Sequence, residues 1–238
     1  MRTSDQRNEG MREEHVDIAN GPDTIPASLW LPDGGTRRAV VLLGHGLGVD
    51  RHHAYNKLPA RFLTESGCAV LIPELPLHGE RRSGEPADWQ TIVDSWQAYW
   101  AAGGVEALVA EWRVIQRYAQ DRFPELALGY FGLSLGTQYG IPFLARNDSI
   151  GAAVLGLFGS LPRPKTPVMN RYAPMVTCPV TFIKQTDDEI HPSATVDHLF
   201  HSLGSKSKCM IEGPGRHAEV QDANIREATR SLVHSLRH

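Results

Sequence analysis

Apolar residues follow two different spacings along this chain. The run Ala39-Val40-Val41-Leu42-Leu43 is unbroken, and further strand-like segments fall at 68–73, 125–131, 152–158, 179–184 and 208–212. Four to seven apolar residues without alternation are the pattern of a strand covered on both faces. Between them the spacing changes to three and four. It predicts helices over 53–66, where Leu58, Phe62 and Leu63 recur before Gly67, and over 88–102, 105–120, 135–145 (despite Pro142), 193–203 and 217–236. Ahead of these, 15–19 and 24–31 read as strands joined by the turn Asn20-Gly21-Pro22-Asp23, a predicted hairpin. A second turn falls at 33–35. Strands that alternate with helices define the α/β class, here a mostly parallel central sheet with an N-terminal hairpin and helices on both faces. The polar stretch 1–14 is expected to be a flexible tail, and 15–238 a single domain without repeats or linkers.

Composition removes several functions. The 238 residues carry 24 Lys and Arg against 27 Asp and Glu, a net charge of −3, and no basic run that could neutralise phosphates. No nucleic-acid partner is expected. Three cysteines (Cys68, Cys178 and Cys209) without CxxC spacing argue against a disulfide framework and a cysteine-rich zinc site. His45, His52, His53 and His78 lack HExxH or another ligand spacing, so no metal is expected. No apolar run approaches the ~20 residues of a membrane span, and 1–14 has no signal-peptide core. The expectation is a soluble, cytoplasmic protein without membrane partners.

The chemistry concentrates at Gly132-Leu133-Ser134-Leu135-Gly136, a Gly-x-Ser-x-Gly set between a predicted strand and a predicted helix. A serine in so sharp a turn is lifted clear of the sheet, and glycines on both sides leave room for neighbouring backbone. The helix that follows offers a free N–H and a positive dipole end to an oxyanion. The pattern alone arises by chance in ordinary chains; its strand-and-helix context is what gives it weight.

With that turn the chain, from about Thr24 to its C-terminus, resembles the α/β-hydrolase family, nearest the dienelactone-hydrolase and prolyl-oligopeptidase-like esterases. The resemblance implies the order nucleophile, acid, histidine. The family's acid follows the strand after next, and Thr186-Asp187-Asp188-Glu189-Ile190-His191-Pro192 is similar to its Asp-x-hydrophobic-x-Pro ending. Asp188 falls on the acid position, with Asp187 the nearest rival and Glu189 a third; read alone, the segment is a solvated acidic turn. The family's base closes a late strand, where Gly213-Pro214-Gly215-Arg216-His217 stands, 29 residues beyond Asp188. The chain has eleven histidines, and only His217 occupies such a place.

Leu43-Gly44-His45-Gly46-Leu47-Gly48 is similar to the family's His-Gly-x segment. The resemblance assigns one oxyanion N–H to Leu47 and the other to Leu135, with His45 a structural hydrogen-bonder behind the loop. A dinucleotide loop is excluded, because Val49 and Arg51 stand where its third glycine would fall, and no Gly-Lys-Ser or Gly-Lys-Thr occurs. The segment Glu74-Leu75-Pro76-Leu77-His78-Gly79-Glu80-Arg81-Arg82 carries glutamate where the family has aspartate, and is read as a solvated loop or a charged rim. The stretch 160–178, with Pro162, Pro164, Pro167 and Pro174, is too short for a cap domain. Trp89, Ile92, Val93, Trp96 and Trp100 share one helical face. That face packs on the core, walls a pocket through Trp89 and Trp96, or meets a second copy.

The expectation is a serine hydrolase that cleaves a small carboxylic ester or thioester through an acyl-enzyme. Ser134, His217 and Asp188 would be catalytic, Leu47 and Leu135 would form the oxyanion hole, and no cofactor would be needed. Amide, peptide or lactone hydrolysis and acyl transfer would use the same residues, and a non-catalytic binding protein on this scaffold is the rival of another class. The chain is expected as a monomer or homodimer.

Overall fold

The computed structural model describes residues 6–8, 11–34, 37–84, 88–162 and 166–237. Its strands, in chain order, are β1 (Gln6–Asn8), β2 (Met11–Asn20), β3 (Asp23–Pro32), β4 (Ala39–Gly44), β5 (Cys68–Pro73), β6 (Ala127–Gly132), β7 (Ile150–Gly156), β8 (Val180–Gln185) and β9 (Lys208–Gly213). The helices are α1 (Ala54–Glu65), α2 (Trp89–Tyr99), α3 (Val105–Arg122), α4 (Leu135–Leu144), α5 (Pro167–Tyr172), α6 (Ser193–Ser202) and α7 (Asp222–Ser235). The described strands form one sheet in the order β1-β2-β3-β5-β4-β6-β7-β8-β9. Its first three pairings are antiparallel and the rest parallel. The mostly parallel sheet opened by a hairpin is therefore as expected.

Hydropathy explains the middle of the sheet. Every residue of β4 and β5 is buried, because helices cover both faces. On one face α1 and α7 bring Phe62, Leu63, Ile225 and Leu232 onto Val41, Val70 and Val154. On the other, α3, α4 and α6 bring Trp112, Tyr139 and Leu199 onto Leu42, Leu71 and Phe182.

Three expectations are corrected. Strand β2 starts at Met11 and keeps register with β3 from Met11↔Pro32 to Asn20↔Asp23, so 11–14 belong to the sheet and not to a tail. β1 also pairs with β2. Ladder hydrogen bonds and ion pairs, Glu14 with Arg12 and Arg122, extend this polar segment, and hydropathy does not register either. Residues 1–5, 9 and 10 of the expected tail, Gly35 and Pro164 lie outside the described residues. The aromatic helix ends at Tyr99 and passes through a wide turn, Trp100–Gly104, into α3, with Gly103 at φ 93° supplying the kink. The last helix begins at Asp222 and leaves His217 in a loop. Within 160–178 the described residues form only the short α5, with Pro167 in its first turn.

Candidate active site

The end of β6 turns sharply into α4. Ser134 sits at φ 56°, ψ −117°, a conformation that costs a residue with a side chain about 1–3 kcal/mol. The turn is held from below. Ser134 N–H donates to the Gly156 carbonyl at 2.9 Å, and Thr137 Oγ1 accepts from Gly156 N–H at 2.8 Å while reaching the Gly132 carbonyl at 2.8 Å. Both flanking glycines are required sterically. A Cβ on Gly132 would stand 2.7 Å from the Gly136 carbonyl oxygen, and one on Gly136 would stand 2.6 Å from that of Gly44. The second contact shows how closely the end of β4 packs against the start of α4.

Three consecutive acidic residues in the β8 loop do three different things. Asp188 Oδ2 lies 2.8 Å from His217 Nδ1, and its Oδ1 accepts the N–H groups of Ile190 and His191 at 2.8 and 2.9 Å. Asp187 Oδ2 accepts from Gly215 N–H at 3.1 Å, and Glu189 Oε2 from His217 N–H at 2.9 Å. The two rivals therefore hold the backbone of the histidine loop, and Asp188 alone meets the imidazole. On its far side His217 Nε2 lies 2.8 Å from Ser134 Oγ. The structure thus brings Ser134, His217 and Asp188 into one continuous relay.

Leu47 and Leu135 flank Ser134 in a cleft of about 350 Å³. Among the described residues neither N–H donates to another backbone oxygen. Trp89 also lines the cleft, lies over Gly48 and is 56% exposed at its rim. Trp96 does not line it. It has the same angular position on α2, but two turns further along the axis it is buried to 4% exposure against His78, Tyr99 and Trp100. Sequence reasoning missed Tyr55, Gln138, Phe158, Ile190 and His191, all cleft residues. Gln138 was findable, because four residues past Ser134 is one helical turn. The others come from distant loops. Burial pushes the His191 imidazole down to about 4, assisted by His217 and opposed by Asp188. Burial, with Asp188 nearby, raises the Tyr55 phenol above its ordinary range.

The segment 74–82 does not line the cleft, and it is solvated only in part: Gly79 and Glu80 are exposed while Glu74 and His78 are buried. Glu74 and His78 are buried beneath the Gly44–Gly48 loop, with His45 and Arg51. Arg51 donates to Glu74 at 2.9 Å and to Glu80 at 2.7 Å, and Arg81 pairs with Glu111 at 2.7 Å. Leu75 N–H meets His45 Nε2 at 3.0 Å, Glu74 Oε1 lies 3.3 Å from the same nitrogen, and His45 Nδ1 faces the Gly46 carbonyl at 2.9 Å. Glu74 fills the space that Gly79 leaves, where a Cβ would lie 2.2 Å from its carboxylate oxygen.

No family model matches the chain. Among solved structures, a PEG-bound cold-adapted esterase from an Arctic intertidal metagenomic library is 28% identical, with a TM-score of 0.85 over 99% of this chain and 100% of that one. Dienelactone hydrolase from Anabaena variabilis ATCC 29413, 18% identical, matches the fold at 0.70 over 95% of this chain and 97% of its own. An α/β serine hydrolase without lid from Xanthomonas campestris, 15% identical, matches the fold at 0.69 over 93% and 94%. Two curated Mycobacterium tuberculosis proteins, both described as putative phosphoribosyl transferases, are 33% identical over 73 residues, which is 31% of this chain and only 16% of theirs. The chain has the α/β-hydrolase fold. It is an enzyme of that fold. No described helix is long and apolar enough to cross a membrane.

Proposed function

We propose that the chain is a serine esterase that hydrolyses small carboxylic esters through an acyl-enzyme. The observation that carries this reading is the relay from Ser134 Oγ through His217 to Asp188, with both links at 2.8 Å. Ser134 Oγ attacks the ester carbonyl as His217 Nε2 takes its proton. The same proton goes to the departing alcohol as the C–O bond breaks. Water, deprotonated by His217, then attacks the acyl-enzyme and releases the acid and Ser134. Asp188 keeps the imidazole proton on Nδ1 and stabilises the imidazolium. The N–H groups of Leu47 and Leu135 receive the oxyanion. The esterase from the Arctic metagenomic library, alike over its whole length, supports the substrate class.

Ser134→Ala should lower kcat on short esters by on the order of 10⁶ and abolish labelling by a fluorophosphonate, with the folded state retained. A variant that keeps a tenth of the wild-type rate would overturn the assignment.

A further inference from the structure

Gln138 is the one residue of α4 that is not buried. It lies a single helical turn beyond Ser134, so the two share a side of the helix, and it lines the same cleft. The indole N–H of Trp96 donates to its Oε1 at 3.1 Å. An indole nitrogen can only donate, so the carboxamide oxygen must face Trp96 and the NH₂ group must face away. Trp96 cannot swing to release it, being wedged against the rings of His78, Tyr99 and Trp100 at 5.9, 5.5 and 6.1 Å. Among the described residues Nε2 has no hydrogen-bond partner. A locked donor therefore stands in a cleft whose lining includes Leu47, Val49, Trp89, Leu135, Phe158 and Ile190. Among the described lining residues there is no lysine or arginine. The one carboxylate, Glu189, is engaged by His217 N–H and Arg216.

We propose that Gln138 sets substrate choice: the cleft takes an uncharged ester with a second hydrogen-bond acceptor, such as a ketone, ether or hydroxyl oxygen, in the part held over α4. The inference rests on the esterase reading of Ser134. A donor fixed by a buried partner discriminates against analogues that leave it unpaired. An anionic acceptor would enter without a countercharge, next to Glu189.

Isosteric pairs test this on either side of the ester. On the acyl side they are methyl 4-oxopentanoate and methyl 4-methylpentanoate; on the alcohol side, 3-oxobutyl acetate and 3-methylbutyl acetate. Acid release in a pH-stat gives kcat/KM for each. Wild type should favour the ketone about tenfold in one of the two pairs. Gln138→Met should bring that ratio close to one, and Gln138→Glu, which still accepts from Trp96 but donates nothing, should invert it. Trp96→Phe should cut the ratio about threefold by releasing the carboxamide. A merely structural role would move both members of a pair together and leave the ratio intact. Monomethyl succinate, the anionic isostere of the first ketone, should be the poorer substrate. Equal rates within both pairs, a ratio that survives Gln138→Met, or preference for the succinate would overturn the proposal. An enzyme whose Ser134 takes up the fluorophosphonate but which ignores the ketone loses this inference alone. If none of the esters is cleaved and Ser134 is not labelled, the esterase reading falls with it.

Discussion

Two polar clusters lie close together at the C-terminal ends of the parallel strands, and they are built in opposite ways. The relay of Ser134, His217 and Asp188 opens on an apolar cleft and runs through single hydrogen bonds in a line. The cluster of His45, Arg51, Glu74 and His78 is buried beneath the adjoining loop and branches, each charge answered from another part of the chain. In the first, on the proposed mechanism, the loss of Ser134 or of the Asp188 charge breaks a chemical sequence and leaves no buried charge behind. In the second, the loss of one group strands a desolvated partner. The relay should therefore respond to substitution in rate, and the buried cluster in stability.

Asp188 is the sharpest way to break that contrast. Asp188→Asn should lower kcat about 10⁴-fold by favouring the wrong imidazole tautomer. Asp187→Asn touches only Gly215 N–H and Thr186, and should cost less than tenfold. Steady-state kinetics on one short ester decides between them, and the opposite ranking would put Asp187 in the relay. Neither change should alter the unfolding midpoint as much as a substitution in the buried cluster.

On the buried side the corresponding change is Arg51→Met. It leaves the buried Glu74 carboxylate without its guanidinium, with only His45 Nε2 beside it at 3.3 Å, and should destabilise by about 3–5 kcal/mol in urea unfolding. Adding Glu74→Gln to it should recover part of that loss, because the stranded charge is then gone. A single substitution that costs under about 1 kcal/mol would mean that water, and not Arg51, compensates the carboxylate.

The same contrast explains what the sequence made legible. The Ser134 turn is dictated by backbone sterics over five consecutive residues, and Gly132 and Gly136 are the only residue type those contacts admit. A local rule of that kind can be read from a line of letters. Asp188 could be narrowed to three neighbours, but which carboxylate meets His217 depends on a loop 29 residues away. His45 was read correctly as a buried hydrogen-bonder, but Glu74 and His78 were misread as part of a solvated loop or rim, because charge in a sequence suggests water and Glu74's partner Arg51 stands 23 residues away. Trp96 was assigned to the right face of α2 and the wrong depth. Helical periodicity gives the angle of a side chain about the axis, but not its distance from the cleft.

The smallest effect separates two histidines with similar titration and different surroundings. Burial holds His78, in the buried cluster, and His191, in the cleft, down to about 4, against an ordinary 6.5. Both are thus neutral in the folded protein over a range where the unfolded chain binds their protons. Their contribution to stability is intact above pH 6.5, falls as the pH drops through the window, and is fully lost below about 4. The loss is on the order of 3 kcal/mol for each. His191→Phe, which retains a ring against Phe158, should remove one proton from the difference and flatten the fall in urea-unfolding stability between pH 6.5 and 4 by about half. His78, whose Nε2 is buried without a partner among the described residues, contributes to the slope that remains. The carboxylates titrate mostly below this window and affect wild type and variant alike. An unchanged slope in His191→Phe would show that the cleft admits enough water to keep His191 at its ordinary value. The line between an open relay and a dry cluster would then run between these two imidazoles.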